Sequence, residues 1–175
     1  EVSVPMLKSI GVTACIVGHS ERRQYFGETD AIIARKIDAL LTHGLTPIFC
    51  CGEVKAERQA GHHEQVVTGQ LDGALGHLST EQLQHVVIAY EPVWAIGTGL
   101  TATPQQAQDM HAHIRAWLQQ RDAALVPVLY GGSCKPDNAA GLFSLPDIHG
   151  GLIGGAALDA GSFVELVRLA TEAKH

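Results

Sequence analysis

Long hydrophobic runs are absent from this 175-residue chain. None approaches the roughly 20 apolar residues that a bilayer-spanning helix needs, so no segment reads as transmembrane. No signal-peptide pattern stands at the front. Charged residues make up only 17% and hydrophobic ones 46%, the balance of a globular chain rather than a disordered one. Basic patches interleaved with aromatics are missing, and the net charge is −6, which argues against a general nucleic-acid partner. Cysteine is scarce and never forms a CxxC or zinc spacing. Cys15, Cys50, Cys51 and Cys134 sit in or beside apolar runs, so they read as buried free thiols in a reducing compartment, the cytoplasm. Histidine pairs do occur, but His62 and His63 would point about 100° apart on a helix, and His111 and His113 nearly opposite. Neither pair has metal geometry, and no metal or cofactor is expected.

What is present centres on Ala89-Tyr90-Glu91-Pro92-Val93-Trp94-Ala95-Ile96-Gly97-Thr98-Gly99. The preceding run Val86-Val87-Ile88-Ala89 is short and β-branched and reads as a buried strand. Pro92 has no N–H and biases Glu91 toward extended backbone, so the strand ends with a carboxylate at its tip. An apolar, Gly-containing loop follows. This is the layout of a general base under a lid, or of an ordinary βα loop with a solvated glutamate.

The rest of the chain alternates. Ser3 to Ile10 reads as a short helix, Ala14–Val17 as a strand, and Glu28 to His43 as an amphipathic helix stopped by Gly44. Thr46–Cys51 is a second strand, and Val54 to about Leu78 is mostly helical with breaks near Gly61 and Gly73. Ser79 and Gln82 form a capping box. After the Val86–Glu91 strand, Thr103 and Pro104 open a helix whose buried face is Met110, Ile114, Trp117 and Leu118. Val126–Tyr130 is a strand, Pro136–Phe143 a helix, Gly151–Ile153 a last strand, and Ser162–Ala173 a closing helix. Strict βα alternation with doubly covered strands predicts an α/β fold with parallel strands. A doubly wound sheet and part of a (β/α)8 barrel both fit. No Gly-x-Gly-x-x-Gly follows the first strand, which weighs against a dinucleotide fold. His19, Glu53, Glu91, Ser133 and Gly154-Gly155 all fall at or just past strand C-terminal ends, the face on which barrels build their sites. Five strands are expected across a single domain, residues 1–175, where a closed barrel takes eight strands and about 250 residues. The chain opens on a helix-like segment, the pattern of a piece of something longer.

Several residues carry candidate chemistry. His19, in Gly18-His19-Ser20-Glu21-Arg22-Arg23, is a surface turn residue or a neutral electrophile facing Glu91 across the strand mouth. Gly154-Gly155 before Ala156-Ala157-Leu158 is an anion site of free N–H groups, or a tight turn that uses glycine for positive φ. Ser133 could add its N–H and hydroxyl, and Gly97 a further donor from the lid. Glu21-Arg22-Arg23 reads as a solvated charge run, and Cys50 as core packing rather than a nucleophile.

Taken together, Gly18-His19-Ser20-Glu21-Arg22-Arg23, Cys50-Cys51-Gly52-Glu53, the Glu91 loop, Tyr130-Gly131-Gly132-Ser133 and Leu152-Ile153-Gly154-Gly155-Ala156 resemble the triosephosphate isomerase family, in its order and spacing. The resemblance implies a partial TIM barrel of five βα units, lacking the N-terminal three strands, the first of which carries an Asn and a catalytic Lys. It implies Glu91 as the base, His19 as the electrophile, and Gly97, Ser133, Gly154 and Gly155 as phosphate holders. Pro92 to Ala102 would be the lid, Ser20 and Cys50 supporting residues, and Glu21 the group that orients the lysine. Leu100 stands where the family usually has Lys, and His149 where an acidic residue is common. The implied enzyme is a cytoplasmic homodimer acting on a small phosphorylated triose, with no cofactor, nucleic acid or membrane partner. An inactive half-barrel that binds phosphate or self-associates is the alternative, and another phosphate-binding barrel enzyme such as an aldolase a third.

Overall fold

Short β-branched runs followed by capped amphipathic segments build the observed chain of elements. The computed structural model describes residues 2–96 and 100–173. Ser3 caps α1 (Val4–Ser9), and β1 (Ala14–Val17) follows. Then come α2 (Ser20–Phe26), α3 (Asp30–Thr42) and β2 (Thr46–Cys51). A pair of helices, α4 (Lys55–Gln59) and α5 (His63–Leu75), and the short α6 (Thr80–Leu83) lead to β3 (Val87–Tyr90). A 3₁₀ turn at Val93–Ala95 precedes α7 (Pro104–Gln119) and β4 (Val128–Tyr130). The chain continues with α8 (Pro136–Phe143), a 3₁₀ turn at Gly155–Leu158 and α9 (Ala160–Glu172).

The four strands form one parallel sheet in chain order, β1-β2-β3-β4. A doubly wound sheet needs a reversal of strand order, and none occurs among the described residues. Consecutive helices pack on one another, α3 on α5, α5 on α7, α7 on α8 and α8 on α9, as a single outer layer. Between the helices and the sheet lies one apolar cluster, with Ile33, Ile37, Leu71, Ile88, Ile114 and Leu142 fully or nearly fully buried.

Three expectations are corrected. The fifth strand, Gly151–Ile153, is reduced to a single bridge between Gly151 and Tyr130. Backbone bonds to β4 persist on either side, from His149 N to Val128 O and from Leu152 N to Tyr130 O, both 2.9 Å. Gly150, at φ +150°, kinks the segment between them out of strand geometry. Gly73 does not break α5. A methyl at Gly73 would come 2.9 Å from Asp30 Cβ, so the glycine lets α5 close on α3. The third correction is the charge run Glu21-Arg22-Arg23, which forms part of helix α2. Its N-cap is His19 rather than the usual Ser, Thr, Asp or Asn, which hid the helix start. Arg22 binds Glu28 at 2.5 Å, and Arg23 turns inward.

Strand ends shift by a residue or two. β4 begins at Val128 because Pro127 has no N–H to give the ladder; its carbonyl still accepts from Ile88 N at 3.0 Å.

Candidate active site

Glu91 follows the last residue of β3, and its backbone continues the ladder, N–H to Cys51 O at 2.7 Å. Two glycines permit this closeness. A methyl at Gly52 would sit 1.7 Å from Glu91 O, and one at Gly131 would come 3.1 Å from Glu91 Cγ. The carboxylate is buried, 2% exposed, and both oxygens are bonded. Ser20 N donates to Oε2 at 2.9 Å and Ser20 Oγ to Oε1 at 3.2 Å. His19 Nε2 lies 2.9 Å from Oε1. Burial raises the Glu91 pKa above the ordinary glutamate value, against the pull of His19, the two Ser20 bonds and Arg23.

His19 ends the loop after β1 and caps α2. Its Nδ1 accepts from the backbone N–H of Glu21 at 3.3 Å. That bond assigns the proton to Nε2, which therefore donates to Glu91. Of the candidate residues, Glu21 thus contributes its main chain, while its side chain is exposed.

Glu91 and His19 open into a cavity of about 650 Å³ whose other wall includes Ile96, Ser133, Gly154 and Gly155. Neither Gly154 nor Gly155 has positive φ, and a methyl on either meets nothing within 4 Å. Both line the cavity, and the space in front of them is open. Cys50 is buried behind the site. Burial, then the neighbouring Glu91 charge, pushes its thiol well above the usual range, so it is a poor nucleophile. Gly97 lies outside the described residues. His149 stands away from the cavity, its Nδ1 3.2 Å from Arg115 Nη2.

Glu53 was visible in the sequence only as a strand-end residue. In the fold it is wholly buried at the end of β2. Tyr90 Oη donates to both its oxygens, at 3.0 and 3.1 Å, and Trp94 Nε1 donates to Oε1 at 2.8 Å. Arg58 Nη1 stands 3.5 Å away. The root of the loop after Glu91 is therefore tied down through its indole. No sequence spacing signals this, because Glu53 and Trp94 lie in different βα units.

A buried carboxylate beside an imidazole N–H donor can remove a proton from carbon and give one to oxygen. The sequence model of the triosephosphate isomerase family matches residues 1–170. The chain belongs to the triosephosphate isomerase family. A triosephosphate isomerase of Herpetosiphon aurantiacus is 60% identical over 172 residues, covering 96% of this chain and 69% of that protein. That of Cytophaga hutchinsonii is 55% identical over 172 residues, covering 96% and 68%. That of Ralstonia nicotianae is 56% identical over 171 residues, covering 96% and 69%. Among the described residues, no helix is long and apolar enough to cross a membrane.

Proposed function

We propose that this chain interconverts glyceraldehyde 3-phosphate and dihydroxyacetone phosphate through an enediolate, with Glu91 as base and His19 as electrophile. Isomerase function is what the family and its named relatives support. The observation that carries the residue assignment is the 2.9 Å contact between His19 Nε2 and Glu91 Oε1 at the mouth of one cavity.

Glu91 takes the proton from the carbon beside the carbonyl. The C–H electron pair moves into the carbon–carbon bond, and the carbonyl oxygen gains charge. The Nε2–H of His19, which donates to Glu91 when no substrate intervenes, donates to that oxygen instead. Glu91 then returns the proton to the former carbonyl carbon, while the hydroxyl on the first carbon gives its proton back to His19 Nε2 and becomes the new carbonyl, so base, imidazole and overall oxidation state are all restored. The backbone N–H groups around Gly154 and Gly155, with Ser133, hold the phosphate by local dipoles, which suits a chain whose net charge is −6. Gly97 belongs to the same phosphate reading. Ser20 fixes the carboxylate, and Cys50 packs behind it. The Pro92–Ala102 lid, rooted by Trp94 on Glu53, keeps water from the enediolate.

The same reading takes the βα units as an arc of five from an eight-stranded barrel, one domain across residues 1–175. It takes the enzyme to be a cytoplasmic homodimer. A coupled assay that follows the aldose-to-ketose direction tests it. Interconversion without carbon–carbon cleavage is expected; cleavage, or no turnover of either triose phosphate, would overturn it.

A further inference from the structure

The β1–β2 ladder stops at the pair Val17 and Phe49. The next two residues are Gly18 and Cys50, and the chain turns at Gly18 with φ +73°. Their carbonyls are joined by a side chain. Arg23 Nε donates to Gly18 O at 2.8 Å, and Arg23 Nη2 donates to Cys50 O at 3.3 Å. The third direction of the guanidinium is used as well, Nη1 to Asp30 Oδ1 at 2.7 Å in the first turn of α3. The group lies 5.9 Å from the centre of the Phe49 ring, and its side chain is only 19% exposed. Gly18 makes room for it. A methyl there would come 3.1 Å from Cys50 O and 3.4 Å from Arg23 Nη2.

One tied carbonyl adjoins the imidazole residue in the chain, and the other adjoins the residue that holds the Glu91 backbone. Gly18 precedes His19. Cys50 precedes Cys51, whose carbonyl accepts from Glu91 N at 2.7 Å. The guanidinium therefore joins the two main-chain supports from which the imidazole and the carboxylate meet.

We propose that Arg23 is a positioning residue for the isomerase reaction, closing the β1–β2 ladder beyond its last backbone pair and so setting the separation of His19 and Glu91. The inference rests on the assignment of those two residues as the proton-transfer pair. Arg23 is not among the residues lining the cavity, so it acts through them. A planar fork is needed, because the acceptors are two carbonyls on different strands and a carboxylate on a helix. A lysine ammonium at this site is a point charge that cannot span them. A shift of about 1 Å between reacting groups can cost about 100-fold in rate, so a small opening of this joint has a large consequence. The Arg23 charge also acts on Glu91 directly, opposing the effect of burial on its acidity.

Arg23→Lys and Arg23→Ala, each in the complete enzyme, separate positioning from bulk stability. Arg23→Lys is expected to lower kcat about 100-fold with KM within a few-fold of wild type. The Nε2 proton of His19, followed by ¹⁵N-edited NMR, is expected to exchange faster with solvent in the same variant as its bond to Glu91 loosens. Arg23→Ala is expected to regain activity on adding millimolar guanidinium, below denaturing concentration, and to show the acid limb of kcat/KM moved upward. Arg23→Lys keeps the charge and is expected to leave that limb in place. Wild-type kcat and an unchanged His19 signal in Arg23→Lys would overturn the proposal, whatever its melting temperature. If Arg23→Ala does not fold, Arg23→Lys decides alone. The NMR readout reports geometry even if Glu91 proves not to be the base, so the two assignments fail separately.

Discussion

The cavity has two unlike ends. At one, every polar atom is already engaged: Glu91 is held by Ser20 and His19, and His19 by Glu21 N. These groups sit on strand ends whose spacing the ladder and close-packed glycines dictate. At the other, Ser133 is half-buried and Gly154 and Gly155 are exposed, on loop and 3₁₀ backbone. The first end is organised before any ligand arrives, at the expense of a buried carboxylate. The second offers main-chain dipoles that an anion would complete. Proton transfer tolerates little displacement, whereas phosphate binding needs donors in number more than one fixed angle. The difference predicts that changes at the first end act on kcat and changes at the second on KM.

The largest effect is expected from Glu91→Gln, which keeps the volume and removes the base. Turnover should fall by roughly 10³-fold or more, measured by the coupled isomerase assay, with the far-UV circular dichroism spectrum unchanged. The pH dependence sharpens the same point. Because burial raises the Glu91 pKa, kcat/KM should begin to fall, on lowering the pH, above the range of an ordinary glutamate. The sign for stability is opposite. A folded-state pKa raised above the unfolded value contributes stability that is complete below the unfolded pKa and is lost as the pH rises through the folded one. Melting curves recorded against pH should show this contribution in wild type and not in Glu91→Gln. Trp94→Phe comes next. It removes the Nε1–H bond to Glu53 and leaves Tyr90 and Arg58 on that carboxylate. Turnover should drop several-fold, less than for Glu91→Gln, since the indole restrains a loop rather than touching substrate. Gly155→Ala should have the smallest effect on the protein itself. Its new methyl meets nothing in the fold, so Tm should stay within about 1 °C, while KM for the triose phosphate rises and kcat holds. A fall in kcat with KM unchanged in that variant would erase the distinction between the two ends.

How much of this was legible follows from the same contrast. Glu91 could be placed from sequence because a proline ends its strand, and His19 because it follows a glycine at the end of an apolar, β-branched run. Those are local signals. The strand-end face followed from strict βα alternation. What escaped was non-local. Glu53 reaches Trp94 across 41 residues, and Arg23 reaches Cys50 across 27. A charge run looks alike whether it points to water or into a strand joint. The Gly151–Ile153 run looked like a strand, since nothing in its apolarity announces that Gly150 adopts φ +150°. Gly73 carried the opposite ambiguity, a helix breaker by propensity and a packing contact in the fold.

The central claim is that the Glu91 carboxylate removes the proton from carbon. Running the isomerisation in D₂O and recording deuterium at the substrate carbon beside the carbonyl tests it most directly. Wild type should incorporate deuterium during turnover, and Glu91→Gln should leave bound substrate unlabelled. Labelling by Glu91→Gln at a rate near wild type would contradict the account.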